Sequence, residues 1–293
     1  MVPVTAWARR YPAPAKLNLF LHVVGRRPDG YHLLQTAFRL IDLCDWLRFA
    51  PRSDGTIRLT RAVPGVAAEE NLVVRAARLL QARGGGAGVE IDLEKNIPVG
   101  GGLGGGSSDC ATTLAALNRL WGLDLPQAEL ADIGLTLGAD VPFFLFGRNA
   151  FGEGIGERLT ALDLPQAWYV VLVPPVPVAT RAIFAAPELT RNSKTIKISG
   201  FSAGFGRNDL EPVACRRHPE VAAHLEWLRR FGDARMSGSG ACVFAEFATE
   251  REARSVHSKM PADMRGLVVR GLDRQPLAAL LDEEYRLGSR QAG

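Results

Sequence analysis

Asn96-Ile97-Pro98-Val99-Gly100-Gly101-Gly102-Leu103-Gly104-Gly105-Gly106-Ser107-Ser108 is the stretch on which the reading of this chain turns. Six of the seven residues from 100 to 106 are glycine. Each glycine costs backbone entropy and offers the core no side chain, so packing does not account for the run. What the run permits is close approach of backbone N–H groups to a ligand. A helix follows to Trp121, with Ala111, Leu114, Leu117 and Trp121 as its apolar stripe and Ser107 or Ser108 in place to cap it. Free amides and the helix dipole at such a start favour an anion, typically a phosphate. A flexible surface loop is the plain alternative, and the helix-opening serines directly after the glycines argue against it.

Three phosphate-binding designs compete for this stretch. A P-loop needs Gly-Lys-Ser/Thr, and no lysine follows these glycines. A dinucleotide fingerprint matches loosely as Gly100-x-Gly102-x-x-Gly105, with Asp124 downstream. Asp124, however, falls in the loop straight after the helix rather than at the end of a second parallel strand, and Pro98 interrupts the strand that should lead into the turn. An NAD-binding oxidoreductase is therefore the weakest reading. The third design is a glycine loop with its own family signature, taken up below.

Working outward, residues 14–24 alternate: Ala15, Leu17, Leu19, Leu21 and Val23 on one face, Lys16, Asn18, Phe20 and His22 on the other. That period of two predicts a half-buried strand ending in the turn Arg27-Pro28-Asp29-Gly30. Further strands are expected over 40–49 and 89–93, and helices over 71–81 and 126–137. Asp140-Val141-Pro142 opens a short apolar segment, 143–146. Beyond about Gly156 the texture changes to a strand over 168–173, a long polar stretch over 193–207, a helix over 219–230 and a last strand pair around a helix near 251–260. The expected fold class is α+β in two domains, 1–156 and 157–286, with a tail of 287–293.

The 293 residues are 47% hydrophobic, with 35 basic against 31 acidic side chains and a net charge of +4. Basic residues are scattered and no nucleic-acid motif accompanies them, which suits a small anionic substrate and excludes nucleic acid as the expected partner. No apolar run is long enough to span a bilayer, and the N-terminus lacks a secretory pattern. The four cysteines are dispersed, without CxxC or metal-ligand spacing, and Cys110 and Cys242, in apolar surroundings, read as reduced core thiols; a cytoplasmic address without a dedicated protein metal site is expected.

The stretch from Pro98 to Ser108 resembles, nearly letter for letter, the glycine loop of the GHMP kinases, the group containing galactokinase, homoserine kinase and mevalonate kinase. Pro14-Ala15-Lys16-Leu17-Asn18-Leu19 resembles that family's first motif, and Gly238-Ser239-Gly240-Ala241-Cys242-Val243-Phe244 its third. Gly138-Ala139-Asp140-Val141-Pro142 resembles the segment that carries its catalytic aspartate. The resemblance covers nearly the whole chain. It implies a two-domain architecture, a nucleotide-loop domain followed by a smaller, sandwich-like C-terminal α/β domain. It also implies ATP as phosphoryl donor, with Mg2+ arriving on the nucleotide. Residues Gly25 to His32 and Asn208-Asp209-Leu210-Glu211-Pro212 resemble one branch of the family, whose acceptor carries a cytidylyl tag.

The resemblance assigns roles residue by residue. Asp140 becomes the general base and Lys16 its electrostatic partner, although from spacing alone Asp140 serves equally as a cap for the segment at Val141. Asn18 would orient the hydroxyl or the lysine. Pro98, Gly100, Gly101, Gly102, Leu103, Gly104, Gly105 and Gly106 would hold the nucleotide phosphates. Ser107 and Ser108 would reach phosphate oxygens or magnesium, or simply cap the helix. Asn71 and Lys95 match positions around the adenine and also read as a helix start and a strand end. Tyr31 and Phe184 would close on the two faces of a cytosine, with His32 as hydrogen-bond partner for the base; packing of Tyr31 over its turn is the alternative. Pro177 and Arg181 stand where a hydroxyl or lysine is expected and receive no role. Another GHMP kinase of the homoserine or mevalonate type, or a non-catalytic nucleotide-binding relative, are the competing functions. The assembly is expected to be a monomer or a homodimer.

Overall fold

Alternation along residues 14–24 predicts one solvated face, yet in the computed structural model, which describes residues 4–202 and 204–281, both faces of that strand are covered. Strand β1 (Tyr11–Arg26) is buried from Tyr11 through Val23. Its side chains join three separate apolar clusters: Ala13 the first, Ala15, Leu17, Leu19 and Phe20 the second, Leu21 and Val23 the third. The polar side chains do not reach bulk water. Phe20 and His22 pack against Phe205, from the stretch expected to be polar, at ring separations of 5.7 and 6.0 Å. The Lys16 ammonium reaches Gly102 O of the glycine loop, and the Asn18 amide side chain is held inside by Lys16 Nζ and Thr36 Oγ1. A two-residue period reports which face a side chain takes, not what later segments lay over it.

A short helix, α1 (Val4–Trp7), precedes β1, which forms a long antiparallel hairpin with β2 (His32–Pro51), from Tyr11↔Leu47 to Arg26↔His32. The turn forms as read, with Arg27 N donating to Tyr31 O at 2.7 Å. Strands β3 (Ile57–Leu59) and β4 (Val89–Glu94) extend the sheet beyond β2. Helices α2 (Leu72–Gln81), α3 (Gly105–Leu120), α4 (Gln127–Leu137) and α5 (Val141–Phe146) supply the first cluster, through residues such as Val73, Leu80, Leu114, Leu117, Ile133 and Phe143. A hairpin of β5 (Ala150–Glu153) and β6 (Arg158–Ala161) returns to β2. Residue 156 lies in that hairpin's turn, and the chain leaves for its second half only after Ala161.

The second half contains β7 (Trp168–Leu172), α6 (Thr180–Phe184), α7 (Glu211–Arg217), α8 (Pro219–Arg229), β8 (Ala234–Met236), β9 (Val243–Phe247), α9 (Glu250–His257) and β10 (Gly266–Leu272). The strands bracketing α9 do not pair with each other; both flank β7, in the order β3-β4-β2-β10-β7-β9-β8. Thr249 and Glu252 start α9 with a reciprocal capping box. Only two residue pairs, Gly271↔Ile41 and Leu272↔Leu40, join β10 to β2, against five joining β10 to β7. The halves thus share one mixed sheet through a narrow seam, an α+β arrangement. No helix among the described residues is long and apolar enough to cross a membrane. The tail of residues 287–293 lies outside the described residues.

Candidate active site

The glycine stretch leads into α3, and its carbonyls are engaged by residues 237–242 and by Lys16. Ala241 N and Cys242 N donate to Gly100 O and Gly101 O at 3.2 and 3.1 Å. Ser237 Oγ and Lys16 Nζ both reach Gly102 O, at 3.0 and 2.9 Å, and Lys16 N donates to Leu103 O at 3.0 Å. Among the described residues the amides of Gly104 to Ser107 have no backbone acceptor. This is the condition for an anion site at a helix start. Gly102 has φ +73°, and a Cβ built there would lie 2.1 Å from Ser237 O. Only glycine lets this loop dock against residues 237–242.

Neither serine caps α3. Gly104 takes the N-cap position, so Ser107 and Ser108 fall within the first turn. Ser107 lines the cleft, whereas Ser108 Oγ is buried with no partner among the described residues. Asp140 does not cap either. It occupies the N-cap position of α5 in a right-handed helical conformation without a side-chain capping bond, and the loop closes instead through Val141 N to Gly138 O at 3.1 Å.

The Asp140 carboxylate instead meets Lys16 Nζ at 3.5 Å. Lys16 is 3% exposed and Asp140 33%, so the ammonium is enclosed while the carboxylate keeps access to the cleft. Burial lowers the Lys16 pKa, and the charge and hydrogen bond of Asp140 oppose that shift. Lys16 Nζ also donates to Asn18 Oδ1. The amide's orientation is fixed from the far side, because Asn18 Nδ2 donates to Thr36 Oγ1 at 2.9 Å and that hydroxyl donates to Phe20 O at 2.5 Å.

A second, half-buried cation stands beside the start of α3. Lys95 Nζ bridges Asp45 and Asp109, the latter at 2.7 Å. Burial pushes the Asp109 carboxyl up to about 7 despite the opposing charge of Lys95, and Asp45 adds to the rise. Asn71 both caps α2, accepting from Val73 N at 3.0 Å, and lines the cleft. At the other end stand Tyr31, 57% exposed, His32 and Phe184. The Phe184 ring lies 5.1 Å from that of His32, so its neighbour is His32 and not Tyr31. Burial lowers the His32 pKa, and the guanidinium groups of Arg191 and Arg26 lower it further.

One cleft of about 1110 Å³ holds every expected site residue except Ser108. Several contributors were not legible beforehand. Thr180, whose hydroxyl sits 2.7 Å from Ser239 Oγ, and Arg26 and Arg181 also line it. Asn208 Nδ2 donates to Met236 O and Gly238 O at 2.7 Å each, pinning the second glycine loop. The signals for Asn208 and Arg26 were present in the stretches 208–212 and 25–32; Thr180 had no pattern to mark it. Burial raises the Cys242 thiol to about 12, leaving it unreactive behind Gly101.

A model of the GHMP kinases N-terminal domain matches residues 71–148, and one of the GHMP kinases C-terminal domain matches residues 188–266. A protein of Thiobacillus denitrificans named 4-diphosphocytidyl-2-C-methyl-D-erythritol kinase is 62% identical over 278 residues, covering 94% of this chain and 100% of its own length. A protein of the same name from Nitrosomonas europaea is 59% identical over 273 residues, covering 92% and 98%. A crystal structure of 4-(cytidine 5'-diphospho)-2C-methyl-D-erythritol kinase superposes with a TM-score of 0.77 at 38% identity, covering 90% of this chain and 99% of the other. The mevalonate kinase of Methanococcus jannaschii, at 14% identity and a TM-score of 0.65 over 90% and 98%, shares the fold. Matched in both halves and aligned almost end to end with these relatives, the chain belongs to the GHMP kinases, in the branch of the 4-diphosphocytidyl-2-C-methyl-D-erythritol kinases.

Proposed function

We propose that this chain transfers the γ-phosphoryl group of ATP to the 2-hydroxyl of 4-diphosphocytidyl-2-C-methyl-D-erythritol, a step in isoprenoid precursor synthesis. The observation that carries the reading is the placement of Lys16, Asn18 and Asp140 beside the free amides of the glycine loop. Phosphoryl transfer asks the protein mainly for positioning and for stabilisation of spreading charge. The amides of residues 104–107 and the start of α3 hold the β- and γ-phosphates. Asp140 takes the proton of the acceptor hydroxyl as its oxygen attacks the γ-phosphorus. The bond from that phosphorus to the β,γ-bridging oxygen breaks, and ADP leaves with the electron pair. Lys16, held by Asn18 and Gly102 O, stands beside Asp140 as fixed positive charge.

Magnesium arriving on the triphosphate would supply neutralising charge, and the Ser107 hydroxyl, which lines the cleft, would be a residue to meet it. Asn71 and Lys95 lie on the nucleotide side; Tyr31, His32 and Phe184 form the seat for the cytosine. Turnover of ATP with the cytidylyl acceptor, and competition by CDP against that acceptor, test the proposal together. ATP consumption that requires the acceptor and is inhibited competitively by CDP is expected. Consumption with homoserine or mevalonate and indifference to CDP would move the assignment to another acceptor; tight ATP binding without turnover would make the chain a sensor.

A further inference from the structure

His32 is held from behind by a group that can only donate. Arg191 Nε lies 3.1 Å from His32 Nε2. A guanidinium has no acceptor, so Nε2 must present its lone pair, and in a neutral imidazole the single proton then sits on Nδ1. Nor is the guanidinium free to swing away. Its remaining N–H groups donate to the carbonyls of Phe184, Ala186 and Leu189 at 3.1, 2.7 and 3.0 Å, with Pro187 O at 3.4 Å. The same side chain thus ties down the end of α6, which carries Phe184, and the turn after it. Burial, with Arg191 and Arg26 nearby, favours the neutral ring. Nδ1 has no protein partner among the described residues, and His32 lines the cleft.

We infer that Arg191 is a positioning residue that fixes His32 as a one-way hydrogen-bond donor, and that this polarity selects cytosine over uracil in the acceptor. The inference rests on the reading above that the base sits among Tyr31, His32 and Phe184. Cytosine N3 is an acceptor and matches an Nδ1–H donor. Uracil carries a proton on N3 and sets donor against donor. To accommodate uracil the imidazole would move its proton to Nε2, where it would face the Arg191 N–H instead. One mismatch is exchanged for the other, so the uridylyl analogue is disfavoured on the order of 10- to 100-fold, as for an unpaired buried polar group.

The test compares kcat/KM for the cytidylyl acceptor and its uridylyl analogue in the full-length wild type, R191K and R191Q, with 15N NMR of the His32 ring with and without CDP. Lysine remains a pure donor, whereas the glutamine amide oxygen can accept from Nε2–H and so releases the tautomer. Expected are an Nδ1–H tautomer in the wild type, a preference for cytosine kept by R191K, and a preference falling toward unity in R191Q. Equal losses for both acceptors in both variants would reduce Arg191 to a clamp on the loop and overturn the inference, as would a wild-type ring protonated on Nε2. Should R191Q fail to fold, the wild-type tautomer and its acceptor ratio decide. If CDP leaves the His32 resonances unmoved, the base binds elsewhere and the reading of the pocket fails with the inference. If CDP moves them while R191Q discriminates like the wild type, only the inference fails.

Discussion

Asp140 makes no capping bond and faces the cleft beside Lys16, and its proposed role as the base gives the first expectation, at the scale of a residue. Asp140→Asn should lower kcat about 10²–10⁴-fold with the circular dichroism spectrum and melting temperature unchanged, because general-base catalysis contributes on that order and no capping bond is lost. Near-normal turnover would remove the role. Asp109 offers a second expectation, in stability against pH. Its folded-state pKa is raised from 3.8 to about 7 by burial, so the folded chain holds a proton that the unfolded chain has released across that interval. The associated stability is full below the lower value and is lost as pH rises through the upper one. Asp109→Asn should therefore gain on the wild type, in denaturant unfolding, as pH is raised across that interval; a pH-independent difference would contradict the assignment. Lys16 and Asn18 stood out beforehand as polar positions in an otherwise apolar strand, whereas Asp140 was marked only by the resemblance of residues 138–142 to a family segment, its spacing alone suiting a cap equally well. The Lys95–Asp45–Asp109 network was not legible, since Asp45 and Asp109 lie 50 and 14 positions from Lys95 and only folding brings them together.

At the scale of elements, the glycine loop and helix α3 form one device. Gly102 and Gly100 provide an internal comparison. Both have φ near +70°, but a Cβ on Gly100 meets nothing within 4 Å, whereas one on Gly102 meets the backbone of Ser237. Gly100→Ala should cost about 1–2 kcal/mol, the strain of a left-handed alanine. Gly102→Ala should cost more, and should raise KM for ATP at least about 10-fold by pushing the loop off residues 237–242. Thermal melting and ATP titration of the two variants check this; equal effects would deny that the contact between the loops matters. Run and helix were read correctly from composition and period, and the cap was not. Serines after a glycine run suit an N-cap by residue type, but a left-handed Gly104 starts the helix sooner and leaves Ser108 buried in the first turn. Strand β1 shows the same limit, its polar face being closed over by segments far along the chain, such as the one that brings Phe205 onto Phe20.

Across the whole molecule, the cleft takes its walls from both halves while the sheet joins them by only two residue pairs between β10 and β2. Ligands that touch both walls should then hold the halves together. ATP or CDP at 100 times its dissociation constant should each add about 2.7 kcal/mol to the unfolding free energy, and the two together more than either alone. Two separate melting transitions, only one of them moved by ATP, would show that the halves respond independently. The architecture was legible because three stretches, 14–19, 98–108 and 238–244, resemble the motifs of one two-domain family; the short pairing of β10 with β2 was not, since short strand pairings leave no mark in composition. The central claim is tested most directly by a crystal structure of the chain with a non-hydrolysable ATP analogue and the cytidylyl acceptor bound together. The expected map shows the β- and γ-phosphates on the amides of residues 104–107, with the acceptor hydroxyl between the γ-phosphorus and the Asp140 carboxylate. A triphosphate bound away from those amides, or a hydroxyl out of reach of Asp140, would contradict it.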